Sequence, residues 1–94
     1  MATEIKHRHS DTRGIFYLNL DGEKVGELTY SFDNPIMTID HTGVDVEHEG
    51  KGYASQLLDE AVTYARQNEL KINPLCPFAE VKFDRNAEYQ KVQA

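Results

Sequence analysis

The chain reads as an α+β domain: an antiparallel meander, then a β-α-β crossover, giving a mixed sheet flanked by helices. Three observations predict it. Alternating apolar residues recur in short runs over the first half, at Phe16, Leu18 and Leu20 and again at Leu28, Tyr30 and Phe32, the period of half-buried strands. Asp21-Gly22 separates two of those runs, a hairpin signal. In the second half the period changes: Ala54, Leu57, Leu58, Ala61, Val62 and Ala65 recur at the spacing of one helical face.

The elements follow in order. Ile5 to His9 is a short strand, and the polar stretch Asp11 to Gly14 is a turn. Ile15 to Leu20 pairs through Asp21-Gly22 with Val25 to Phe32. In the latter, Leu28, Tyr30 and Phe32 share one face, and Val25, Glu27 and Thr29 the other. Asp33-Asn34-Pro35 breaks the run, and Ile36 to Val44 forms the next strand. The helix spans about Gly52 to Gln67, with Asn68 suited to a left-handed C′ position. Leu70 to Leu75 is a strand, parallel to the one before the helix because a crossover joins them. Pro77 suits a first helical position, so a second helix starts after Cys76, with Phe78, Ala79, Val81 and Phe83 as its apolar side. It ends near Arg85-Asn86, and Ala87 to Val92 is a short helical turn or tail.

Ninety-four residues make a single small domain, residues 1–94. No run of eighteen apolar residues is present, so no membrane span or membrane partner is expected. The polar start and the single cysteine lead us to expect a cytoplasmic, reducing setting. The net charge of −6 argues against nucleic-acid binding. It leaves room for an anion held by backbone amides. We expect a monomer or weak homodimer.

The chemistry concentrates at Glu49-Gly50-Lys51-Gly52-Tyr53-Ala54. A strand feeds a Gly-x-Gly turn, and the turn opens the long helix. The first helical N–H groups lack intrahelical partners and the macrodipole is positive there, so strand, glycine turn and helix can cradle an anion. The third glycine of a dinucleotide fingerprint and the Gly-Lys-Ser/Thr of a P-loop are both absent.

This run resembles motif A of the GNAT acetyltransferase superfamily, Arg/Gln-x-x-Gly-x-Gly/Ala. Gly52 matches the invariant glycine and Ala54 the final small residue. Glu49 departs from the motif, standing where the family has Arg or Gln, and is expected to point away from a pyrophosphate. Ile39-Asp40-His41-Thr42 and Cys76-Pro77-Phe78-Ala79 with Glu88-Tyr89 extend the resemblance to small GNAT-like acetyl-CoA-binding proteins. The resemblance implies acetyl-CoA (CoA) as co-substrate and an unidentified amine or protein acceptor. It places the cofactor on Gly50, Lys51, Gly52, Tyr53, Ala54 and Ser55, with Val44, Val46, Phe78 and Phe83 completing the site.

Cys76 and His41 are the candidate catalytic residues. A thiol at a helix N-terminus feels the positive dipole end, which favours the thiolate; a free cysteine is also commonly a buried apolar residue. Where the family often carries Asn-x-x-Ala-x-x-x-Tyr, this chain reads Cys76-x-x-Ala79-x-x-x-Phe83. The usual phenolic acid for the leaving sulfur is thus replaced by phenylalanine, leaving Cys76, Tyr89 or no group at all for that work. His41, in the strand before the glycine turn, suits a base for an attacking amine, or a hydrogen-bonded core position. Alternation turns Asp40 to the opposite face, so the two form a dyad only if a bulge intervenes. His7 and His9 share a strand face, but no metal is expected; His48 is expected at the surface. Lys82 and Arg85 could meet CoA phosphates or simply be solvated. An N-acetyltransferase is the reading favoured, with a non-catalytic acetyl-CoA carrier or sensor as the alternative.

Overall fold

A computed structural model describes residues 2–94. Five strands form one sheet in sequence order: β1 (Thr3–His9), β2 (Arg13–Leu20), β3 (Glu23–Asp33), β4 (Ile36–Val44) and β5 (Lys71–Pro74). The first four pair antiparallel, and β5 pairs with β4 in parallel. Helix α1 (Tyr53–Gln67) makes the crossover; α2 (Pro77–Asp84) and α3 (Ala87–Gln90) follow β5. This is the α+β mixed sheet that the periodicities predict.

One core joins the layers. Phe16, Leu18, Leu28, Tyr30, Met37 and Ile39 of the strands meet Leu57, Leu58, Ala61, Val62 and Ala65 of α1 and Ala79 and Phe83 of α2. Each fully buried leucine contributes roughly 1.5–3 kcal/mol of transfer free energy. Val92 is buried too, and the C-terminal segment lies along β5, where Ile72 N–H donates to Val92 O at 2.7 Å and Ala94 N–H to Ile72 O at 2.8 Å.

Two β-bulges revise the strand faces. Leu18 pairs with Gly26 and Asn19 with Lys24, so Val25 is the extra residue of β3. Val25 therefore joins the core at 2% exposure, correcting its expected place beside Glu27 and Thr29. In β4, Thr29 pairs with His41 and Tyr30 with Ile39, leaving Asp40 as the extra residue.

The helix ends also differ in detail. Asn68 is the C-cap of α1, and the left-handed residue is Glu69, at φ 56°. Leu70 N–H then returns to Ala65 O at 2.8 Å, the Schellman closure. Asn68 holds Tyr64 O through both its backbone and side-chain amides. Val81 is 45% exposed and lies outside the apolar side expected of α2. Asn86 caps α3 by accepting from Glu88 and Tyr89 N–H. Among the described residues, no helix is long and apolar enough to cross a membrane, and no three His, Cys, Asp or Glu side chains converge as a metal site.

Candidate functional site

The site forms where β4 outruns its neighbour. β5 pairs with β4 only from Ile36 to Ile39. There β5 turns away: Leu75 and Cys76 N–H both donate to Ile39 O, at 3.1 and 2.9 Å. Beyond Ile39 that edge of β4 has no β5 partner. Asp45 N–H is turned to the β3 side, donating to Val25 O at 2.8 Å. By alternation Thr42 and Val44 present their backbone groups to the open edge.

A groove of about 450 Å³ follows that edge to the start of α1. Its walls are Thr42, Gly43 and Val44 of β4, His48, Glu49, Gly50 and Gly52 of the connection, Tyr53, Ala54 and Ser55 of α1, and Phe78 of α2. Gly52 is the N-cap of α1 in the left-handed region, at φ 81°, and no side chain caps it. Gln56 is the first residue of the helix to find an acceptor within it, Gly52 O at 3.0 Å. The amides of Tyr53, Ala54 and Ser55 are thus open to the groove. The first turn carries no acidic residue to compete for them. This is the chemistry of an anion site with backbone donors.

Of the residues expected to hold the cofactor, Val44, Gly50, Gly52, Tyr53, Ala54, Ser55 and Phe78 line this groove. Three others do not. Val46 sits on a short 3-10 turn, Val46–His48, and is 85% exposed. Lys51 is exposed between the two glycines. Phe83 is fully buried in the core against Tyr89, with ring centroids 5.3 Å apart. Glu49, expected to point away, is a wall residue. His48, expected at the surface, is half-buried in the wall, and its Nδ1 has no partner among the described residues. Thr42, which ends the Ile39-Asp40-His41-Thr42 run but is given no role in binding by it, joins the site with Gly43, which no motif marks. Their place follows from where β5 departs.

Cys76 is the N-cap of α2, with Pro77 in the first turn, as the Cys-Pro junction predicts. Its buried sulfur accepts from Ala79 N–H at 3.4 Å and lies 3.5 Å from Thr42 Oγ1. One hydroxyl thus joins the thiol to the groove wall. Tyr89 does not line the groove. Its hydroxyl donates to Asp59 on α1, and burial together with that carboxylate raises its pKa.

His41 is exposed and lies on a second pocket of about 390 Å³, walled by Lys24, Val25, Gly26, Glu27, Gly43, Val44 and Asp45. The two cavities share Gly43 and Val44. The bulge turns Asp40 and His41 to the same face, yet does not join them. Asp40 accepts from Thr29 Oγ1 at 2.6 Å and from Arg13 Nη2 at 3.1 Å. Partial burial would raise its carboxyl, but these two partners outweigh that and hold it below the usual carboxylate value.

Residues 15–92 match the family model described as GCN5-related N-acetyl-transferase. An NMR structure of a GCN5-like protein from Staphylococcus aureus, described there as a candidate N-acetyltransferase, is 38% identical. The similarity covers 97% of this chain and 87% of that one, with a TM-score of 0.74. The chain therefore belongs to the GCN5-related N-acetyltransferase family. Two more distant structures share the fold. The ribosomal-protein-alanine N-acetyltransferase of Brucella melitensis biovar Abortus 2308 is 18% identical over 89% of this chain and 90% of its own, with a TM-score of 0.70. A candidate streptothricin acetyltransferase of Bacillus anthracis, solved with acetyl coenzyme A, is 18% identical over 81% of this chain and 46% of its own, with a TM-score of 0.61. No curated protein matches the chain.

Proposed function

We propose that the chain binds acetyl-CoA in the groove and transfers its acetyl group to an amine. The observation that carries this is the groove itself, in which the open amides of Tyr53, Ala54 and Ser55 continue into the unpaired edge of β4. The amides suit the pyrophosphate, and the open edge suits the amide-bearing arm that leads to the thioester. Gly50 and Gly52 leave space for that approach, and Phe78 supplies an apolar wall. Lys51 is exposed between the two glycines and does not line the groove.

The thioester then lies near Thr42, between His41 and Cys76. The acceptor nitrogen bonds to the acetyl carbon and the carbon–sulfur bond breaks. His41 takes the amine proton, and the CoA sulfur regains a proton from the Cys76 thiol or from water. A two-step route has the Cys76 thiolate displace CoA, forming an acetyl-thioester that the amine then opens. The carrier or sensor reading has its own support: Phe83 brings no phenol, and that of Tyr89 is held by Asp59.

Release of free CoA from acetyl-CoA over a panel of amines tests the proposal. His41→Ala and Cys76→Ala should each lower the rate on the order of a hundredfold, while acetyl-CoA affinity measured by calorimetry changes far less. Saturable binding without transfer to any acceptor replaces the enzyme by the carrier. Absence of binding removes both readings.

A further inference from the structure

The outer face of the sheet carries a second polar chain beside the Asp40 network. Glu27 and Thr29 project there from β3, since Leu28 and Tyr30 on either side of Thr29 are buried. The bulge at Asp40 brings two successive β4 residues to that same face, and each meets a different β3 partner. Asp40 meets Thr29. His41 meets Glu27, with Nε2 3.9 Å from Oε2. The other oxygen of Glu27 accepts from Lys24 Nζ. The carboxylate is thus held from one side by an ammonium and turned toward the imidazole on the other.

Gly43 completes the arrangement. Register places it opposite Glu27. A Cβ there would come within 3.1 Å of His41 Nε2 and 3.2 Å of Cε1. The imidazole therefore lies over the bare backbone of Gly43, in a place that a side chain would crowd. That place is where the second pocket meets the groove.

We propose that Glu27 is the positioning residue for His41, so that Lys24, Glu27 and His41 act as a unit on the pocket that adjoins the groove at Gly43. This rests on the reading of His41 as the proton acceptor. At 3.9 Å the pair is beyond hydrogen-bond range, and such contacts tighten when a reacting complex forms. A carboxylate opposite Nε2 keeps the proton on that nitrogen and leaves Nδ1 as the basic nitrogen of the ring. Asp40, the nearer residue in sequence, cannot do this while Thr29 and Arg13 occupy its oxygens. The pocket that the three residues wall also contains Asp45, so the acceptor enters past two carboxylates.

Two measurements test the assignment. The first needs no turnover: the rate at which diethylpyrocarbonate modifies His41, mapped by mass spectrometry, with His9 as internal reference. At pH 8, where an ordinary imidazole is already neutral and the carboxylate acts only through the tautomer of the ring, Glu27→Gln should slow modification of His41 about threefold and leave His9 unchanged, whereas Asp40→Asn should leave both rates near wild type. Equal His41 rates in Glu27→Gln and wild type overturn the proposal, as does a loss confined to Asp40→Asn. The second is a kinetic cycle. Glu27→Gln should lower kcat about tenfold, a fraction of what a positioned base supplies, with the KM for acetyl-CoA unchanged and Glu27→Asp recovering part of the loss. In a His41→Ala background it should cost nothing further. An equal loss in that background means that Glu27 acts independently and overturns the proposal. If wild type transfers no acetyl group, the enzyme reading fails while the modification rates still decide the role of Glu27.

Discussion

Gly52 offers the sharpest test of the groove, because its structural and functional costs separate. It caps α1 at φ 81°, and a Cβ there would meet nothing within 4 Å. Substitution therefore costs backbone strain without a clash, roughly 1–2 kcal/mol for a left-handed residue other than glycine. In a domain of this size that lowers Tm by about 4–8 °C per kcal/mol. Gly52→Ala carries the strain and one methyl group. Gly52→Asp adds a charge beside the open amides of Tyr53, Ala54 and Ser55. A charge pair about 4 Å apart repels by ~1 kcal/mol in water and up to ~4 kcal/mol near a protein surface. Gly52→Asp should therefore weaken acetyl-CoA binding by about tenfold or more, or ~1.4 kcal/mol, and Gly52→Ala by less. Raising the salt should narrow the gap between them, since only the charge contribution is screened. Titration calorimetry on the folded variants, with Tm as the check on folding, gives both numbers. Wild-type affinity in a folded Gly52→Asp protein refutes the cradle at α1.

Two further outcomes follow from the core. Phe83→Tyr would place a hydroxyl in a fully buried site, and without a partner it should cost ~1–3 kcal/mol; a Tm at or above wild type would show that the hydroxyl finds one. His7 stacks on Phe16 with centroids 3.9 Å apart and shares a 2.7 Å hydrogen bond with Tyr30. Burial, and secondarily the charge of His9, lower its pKa below 6.5. The folded state thus favours neutral His7, so its contribution is complete above about pH 6.5 and lost as the pH falls through the folded value. Denaturant midpoints should fall on acidification in wild type and fall less in His7→Gln; identical pH slopes would refute the assignment.

The sequence by itself determined the elements and their order. Strand alternation from Phe16 to Leu20, the Asp21-Gly22 turn and the helical spacing of Ala54 to Ala65 are local properties, set by backbone geometry and the need to bury one face. The Cys76-Pro77 junction was equally legible, because proline in a first turn and a side-chain acceptor at the N-cap are both local requirements. So was the glycine turn, since the left-handed angles at Gly50 and Gly52 favour that residue. Tertiary structure decided what depends on an unequal partner. A period of two cannot announce the extra residue of a bulge, so Val25 reached the core and Asp40 came to the face of His41 only through pairing. The departure of β5 after Ile39, which opens the groove and brings Thr42 to the sulfur of Cys76, joins residues 34 apart in the chain. The partner of His41 likewise comes from β3, where nothing in the local sequence marks Glu27 above Asp40. Packing chose between the two carboxylates by giving Asp40 to Thr29 and Arg13.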